Sequence, residues 1–145
     1  MKSAARLLAA PIVLALLVVA SLLGCSSSSD PGSGLVETTF DIHLTTGTAM
    51  RGVSMTLQHA GDFELVALDD GDEPIASGSC SSNVLSGEIR ATCATTTSFS
   101  APIDAWRVTM RHPASRHLDV GILDLTCEAS DVTGTTFAIG CQVVE

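Results

Sequence analysis

From Val36 onward the chain repeats with a period of two. Val36, Thr38, Phe40, Ile42 and Leu44 alternate with polar neighbours, and Val53, Met55 and Leu57 do the same after the turn at Thr46-Gly47. Successive side chains of a strand point to opposite faces, so this is the pattern of strands with one face buried and one in water. Further strands are expected over residues 63–68, 75–80 and 88–94, around Trp106, Val108 and Met110, and over residues 118–127 and 137–144. The cluster Asp69-Asp70-Gly71-Asp72-Glu73-Pro74, the pair Ser86-Gly87, Pro113 and Gly134 supply the turns. Apolar spacing of the helical kind is not sustained over ten residues anywhere after the leader. The expectation is an all-β domain, a two-layer antiparallel β-sandwich of about seven to nine strands, with a small barrel as the alternative.

A different segment precedes this pattern. Lys2 and Arg6 stand before an apolar run, residues 7–23, which Pro11 interrupts. The run falls short of the roughly 20 residues of a bilayer-spanning helix. Gly24 and Cys25 close it, and Ser26-Ser27-Ser28-Ser29 follows. A basic start, an apolar helical stretch and a small residue at its end make a secretory signal peptide. Its last four residues, Leu22-Leu23-Gly24-Cys25, resemble the lipobox of bacterial lipoproteins. The resemblance implies cleavage between Gly24 and Cys25, a diacylglyceryl group on the Cys25 sulfur, and usually an acyl chain such as palmitate on the new N-terminus. Stable anchoring takes more than one chain, and this chemistry supplies it. Ser26 rather than Asp follows the cysteine, which in a two-membrane cell points to the outer membrane. The expected organisation is a signal peptide at 1–24, a flexible Ser/Gly/Pro tether at 25–34 and one domain at 35–145.

Four cysteines remain once Cys25 is assigned to lipid: Cys80, Cys93, Cys127 and Cys141. An even set in an exported chain implies disulfides, and four cysteines allow about three connectivities. The midpoints of the first and second pairs fall at Ser86-Gly87 and at Gly134, both turn-forming. Cys80–Cys93 and Cys127–Cys141 are therefore preferred, each facing across its own hairpin. Each would close a loop of about 15 residues, for which chain entropy gives roughly 3 kcal/mol. No C-x-x-C spacing points to zinc.

Charge and composition narrow the partners. All sixteen acidic residues follow Gly24, and loss of Lys2 and Arg6 leaves five arginines against them, a net charge of −11 with no lysine. Phosphate recognition runs on Lys and Arg, so nucleic acid is not a partner, and attraction to anionic lipid head groups is disfavoured. Stacking on sugar rings needs exposed Trp or Tyr, whereas the chain has one Trp, four Phe and no Tyr. Trp106 shares its parity with Val108 and Met110, facing the core, so carbohydrate binding on an aromatic platform is not expected.

Few residues offer chemistry. Asp69, Asp70, Asp72 and Glu73 form the densest acidic cluster. Calcium takes several carboxylate and carbonyl oxygens at once, so these four are the candidate metal ligands, although the twelfth-position Glu of an EF-hand loop is missing. A solvated inter-strand turn is the alternative. His43, His59, His112 and His117 read as surface turn residues. Arg107, Arg111 and Arg116 either balance neighbouring acids or line one edge for an acidic partner. The chain has no G-x-S-x-G elbow and no glycine-rich phosphate loop. Neither catalytic residues nor a cofactor beyond the lipid on Cys25 are expected, and the chain does not read as an enzyme.

The order of pieces in the domain resembles cohesin-like domains. The resemblance rests on Gly52-Val53-Ser54-Met55-Thr56-Leu57, Gly87-Glu88-Ile89-Arg90-Ala91, Ser98-Phe99-Ser100-Ala101-Pro102, the strand over residues 105–111 and the closing stretch from Cys127 to Cys141. It spans residues 36–145 through short, degenerate motifs, and departs at His59-Ala60-Gly61-Asp62, where the family has a Tyr-Asp-Pro-like turn. It implies a cohesin- or immunoglobulin-like sandwich serving as a binding or scaffold module, with none of the family's contact residues carried over. The expected role is a membrane-tethered, non-catalytic envelope lipoprotein that binds an unidentified protein or serves structurally. A small secreted inhibitor presenting residues 81–92 as a loop, or a ligand-binding lipoprotein, is the alternative. A hydrolase built from scattered Ser, His and Asp ranks third.

Overall fold

The structure is a computed structural model that describes residues 34–145. The signal peptide, Cys25 with its cleavage site, and the tether up to residue 33 lie outside the described residues. The elements are β1 (Leu35–Leu44), β2 (Met50–His59), β3 (Glu64–Asp70), β4 (Ser79–Leu85), β5 (Glu88–Phe99), β6 (Ile103–Pro113), a helical turn α1 (Leu118–Gly121), β7 (Ile122–Ser130), β8 (Thr136–Ile139) and β9 (Cys141–Val144). The nine strands form two antiparallel sheets, ordered β3-β6-β1-β9 and β4-β5-β2-β7-β8. The sandwich is therefore the arrangement adopted.

Alternation decides what lies between the sheets. Phe40, Ile42 and Leu44 of β1 and Trp106, Val108 and Met110 of β6 point inward from one sheet. Val53, Met55 and Leu57 of β2 and Ile89, Ala91 and Cys93 of β5 meet them from the other. Full burial of a side chain of the Val, Leu, Ile, Phe or Met class stabilises by about 1.5–3 kcal/mol, so this interior carries the fold. Among the described residues no helix is long and apolar enough to cross a membrane.

Several boundaries differ from the sequence pattern. Residues 75–78 are a turn rather than a strand start, and the nitrogens of Ile75 and Ala76 donate to the Asp72 carbonyl. Ile75 nevertheless buries its side chain completely, closing that end of the core. Residues 118–121 are helical, and Leu118 is buried there as a cap on the interior. The hairpin at Ser86-Gly87 is as expected: Leu85 pairs with Glu88 across a two-residue turn. Gly87 has φ +78°, a conformation that glycine adopts at no steric cost.

The last stretch is not one strand. Gly140 interrupts it, donating to Thr46 Oγ1 and accepting from the Thr45 nitrogen, and a Cβ there would lie 2.4 Å from Thr45 Oγ1. The chain thus steps from β8 in one sheet to β9 in the other. Both preferred disulfides are present, Cys80–Cys93 and Cys127–Cys141. Cys80 and Cys93 face each other directly across the β4–β5 hairpin. Cys127 pairs instead with Ile139, while Cys141 lies opposite Leu44, so the second disulfide joins the two sheets. Disulfides of this kind fit an extracytoplasmic protein.

Candidate functional site

The two outer faces of the sandwich have opposite character. On the four-stranded sheet the outward residues of β6 are basic and those of β1 and β3 acidic. Arg107 lies between Asp41 and Asp69, and Arg111 between Glu37 and Glu64. Arg107 donates to both Asp41 oxygens at 2.8 and 3.2 Å. Arg111 donates to Glu37 Oε1 at 2.7 Å and stands 3.7 Å from Glu64. The hydrogen bond to Asp41, then its charge, raises the Arg107 pKa above its ordinary value, and Glu37 does the same for Arg111. Thr39 and Thr109 hydrogen-bond between these rows at 2.8 Å, and His43 Nδ1 meets Asp104 Oδ1 at 2.6 Å. This face is a lattice whose cations are already bonded within it. Arg116 likewise reaches Asp62 at 3.3 Å. The three arginines therefore balance neighbouring acids.

The five-stranded sheet presents mostly short hydroxyl and amide side chains instead, with Glu128 and Arg90 among them. Ser81, Thr92, Ser54, Glu128 and Ala138 run as one row across all five strands. Asn83, Arg90, Thr56 and Thr126 form the row beside it. Arg90 is the basic residue of these two rows and is bonded to Glu88 on its own strand at 2.6 Å. The hydroxyls rise only one bond beyond Cβ, so Glu128 and Arg90 are the tall side chains of these two rows.

The acidic cluster is spread over this architecture. Asp69 projects outward beside Arg107, and Asp70 lies opposite Trp106 with the inward parity. Asp72 opens the turn, its nitrogen donating to the Asp104 carbonyl, and Glu73 accepts from Ser77 Oγ. Asp69 and Asp70 thus diverge on either side of one strand. Asp70, Cys80 and Cys93 bring potential ligand atoms within 4.8 Å of one another. Both sulfurs are tied up in a disulfide and offer no thiolate to a metal. Asp70 and Cys80 border a cleft of about 200 Å³ between the edge strands β3 and β4, lined as well by Leu68, Ala91 and Trp106.

Two histidines correct the surface reading. His59 is 8% exposed and His112 4%, whereas His43 is partly exposed and His117 exposed. His59 continues the inward parity of Val53, Met55 and Leu57, and His112 that of Trp106, Val108 and Met110; that parity was the available signal. His112 shares a 2.9 Å hydrogen bond with Thr38 Oγ1 and stacks on Phe63 with centroids 4.6 Å apart. Gly121 covers the other approach to that ring, where a Cβ would come within 2.1 Å of Phe63 Cζ. His59 donates from Nδ1 to the Ala60 carbonyl, and its Nε2 is buried without a partner. Among the described residues, neither histidine hydrogen-bonds to an acidic side chain.

Residues 81–92, the expected inhibitory loop, are paired strands closed by the two-residue turn and do not project. The β7–β8 turn is held by Asp131, whose carboxylate accepts from Thr133 Oγ1, the Thr133 nitrogen and the Thr135 nitrogen. The Thr133 hydroxyl, then these backbone donors, lowers the Asp131 pKa below the ordinary 3.8. A lowered folded value means that Asp131 stabilises the fold above pH 3.8, and that this contribution is lost as pH falls through its folded value. Carboxyl-carbon titration by NMR is expected to place Asp131 below 3.8, and Thr133→Ala to move it back upward. A wild-type midpoint at or above the ordinary value would contradict the bonding described.

No protein-family model matches the sequence, and no curated protein matches it. The fold is similar to that of a non-cellulosomal cohesin from the hyperthermophilic archaeon Archaeoglobus fulgidus, with a TM-score of 0.58 over 75% of this chain and 74% of that chain, at 15% sequence identity. The domain is thus a β-sandwich of cohesin-like architecture. The likeness extends to the fold.

Proposed function

We propose that this chain is a lipid-tethered, non-catalytic module of the bacterial cell envelope that binds a protein partner on the outer face of its five-stranded sheet. The observation that carries this is the contrast between the faces. On the four-stranded sheet the charged groups satisfy one another. On the five-stranded sheet Ser, Thr and Asn side chains of β4, β5, β2 and β7 face outward, with Glu128 and Arg90 among them, open to a partner. The similarity to a cohesin supports a binding role, and the two disulfides support work outside the cytoplasm. Lipid on Cys25, following the lipobox, is the anchor, with the outer membrane as destination in a two-membrane cell.

Affinity capture from envelope extracts with the full lipidated chain tests this reading. One protein is expected to be captured repeatedly. Thr92→Arg, on β5 beside the central strand of the face, is expected to weaken capture at least about tenfold, or 1.4 kcal/mol. Thr39→Arg on the opposite face is expected to leave it unchanged. Equal loss from both variants, or capture of a protease alone, would sink the proposal, the latter in favour of an inhibitor.

A further inference from the structure

The exposed apolar residues are not scattered. Among the described residues nine large hydrophobic side chains are exposed, and six of them, Leu35, Val36, Val84, Leu85, Val120 and Leu123, gather at one end of the sandwich. Register fixes this placement. Leu35 begins β1 opposite Pro113, and the Ala114 nitrogen donates to the Gly34 carbonyl. Leu85 ends β4 opposite Glu88, which also pairs with Gln58 near the end of β2. The His59 nitrogen donates to Gly87 and the Ala60 nitrogen to Gly121, drawing the β4–β5 turn and α1 together. Leu123 sits at the register shift beside His59 and Ile122. Leu35 and Leu123 are 66% and 64% exposed.

This is also the end where the tether attaches. Cys25 stands ten residues before Leu35, a stretch that reaches at most about 35 Å when fully extended. A ten-residue strand such as β1 is itself about 33 Å long. The near end therefore lies within reach of a lipid surface that holds Cys25, whereas the far end meets that surface only with the tether stretched to nearly its full length. The far end carries Asp69, Asp70, Asp72 and Glu73, which anionic head groups repel. At the near end Asp62 and Glu88 are paired with Arg116 and Arg90, although Asp119 and Asp124 are exposed and have no such partners.

We infer that the rim formed by Leu35, Val36, Val84, Leu85, Val120 and Leu123 is a lipid-contacting surface, on which the domain rests against a zwitterionic bilayer instead of hanging free from its tether. This deepens the lipoprotein reading and rests on acylation of Cys25. The test uses the full chain, exported and acylated in a bacterial host and reconstituted in phosphatidylcholine vesicles, with Leu123→Trp, Leu85→Trp and the far-end control Val132→Trp. Trp106, 1% exposed, supplies a common background. Brominated phosphatidylcholine is expected to quench the two near-end variants about twofold more than the control, and less so when anionic lipid is added. Equal quenching of near-end and control variants on chain that floats with the vesicles overturns the inference while leaving the anchor intact. Failure to float, with no acyl mass on Cys25, removes the anchor and the inference together. A lipid-independent blue shift of Leu123→Trp, with doubled mass in sedimentation, overturns it in favour of a second copy as the occupant.

Discussion

Trp106→Ala is expected to cost about 3–5 kcal/mol of unfolding free energy, the range for deleting a large buried aromatic from a packed core. Trp106 is the largest fully buried side chain and is 1% exposed. It sits on β6, in the middle of the four-stranded sheet, opposite Ile42 on one side and Asp70 on the other. Its ring also floors the cleft between β3 and β4, so truncation deepens a hollow that already exists. Domains of this kind have roughly 5–15 kcal/mol in total, so the variant stands close to unfolding. Urea denaturation followed by far-UV circular dichroism measures the loss, since the variant lacks the fluorophore. Leu123→Ala, on the exposed rim, is expected to change stability by about 0.5 kcal/mol or less. A Trp106→Ala loss below about 1 kcal/mol would contradict a core centred on this residue.

The second large effect belongs to the cross-sheet disulfide. Removing Cys127 and Cys141 together by substitution with alanine is expected to destabilise by about 2–5 kcal/mol. The chain-entropy part is nearly the same as for Cys80–Cys93, because the sequence separations are 14 and 13. The structural consequence is not. Cys80–Cys93 reinforces strands that seven cross-strand pairs already hold together, whereas β9 pairs with β1 at four positions. Amide exchange at residues 141–144 is expected to accelerate in the Cys127→Ala/Cys141→Ala variant and to stay slow in the Cys80→Ala/Cys93→Ala variant. Unchanged protection of β9 in the first would show that its backbone pairing alone suffices.

How much of this was legible follows from which interactions are local. Alternation gave the class and the inward set, because parity is a property of each strand by itself: Phe40, Ile42, Leu44, Val53, Met55 and Leu57 are all buried as their spacing requires. Ser86-Gly87 placed the first disulfide, since a short turn fixes register on both sides. Gly140 was not readable in the same way. Its crossover depends on contacts with Thr45 and Thr46, almost a hundred residues earlier in sequence, so one apolar stretch was divided between two sheets. Histidine types also misled, because a polar residue at a strand end was weighed by composition when its parity already placed it inside. The contrast between the faces needed the pairing order: Arg107 and Asp41 are 66 residues apart, and only β1–β6 adjacency makes them neighbours.

The Gly140 step and the Cys127–Cys141 bond lie on the same side of the molecule, and together they give the sandwich a spine. Along that side the chain itself and a covalent bridge hold the sheets together. On the other side the 71–78 turn joins β3 to β4 beside the cleft, and among the described residues no disulfide links the two sheets there. The β8–β9 side is thus the one on which a disulfide, besides the chain, limits separation of the sheets. On the opposite margin the cleft brings solvent up to Cys80 and to the edge of the buried Trp106 ring.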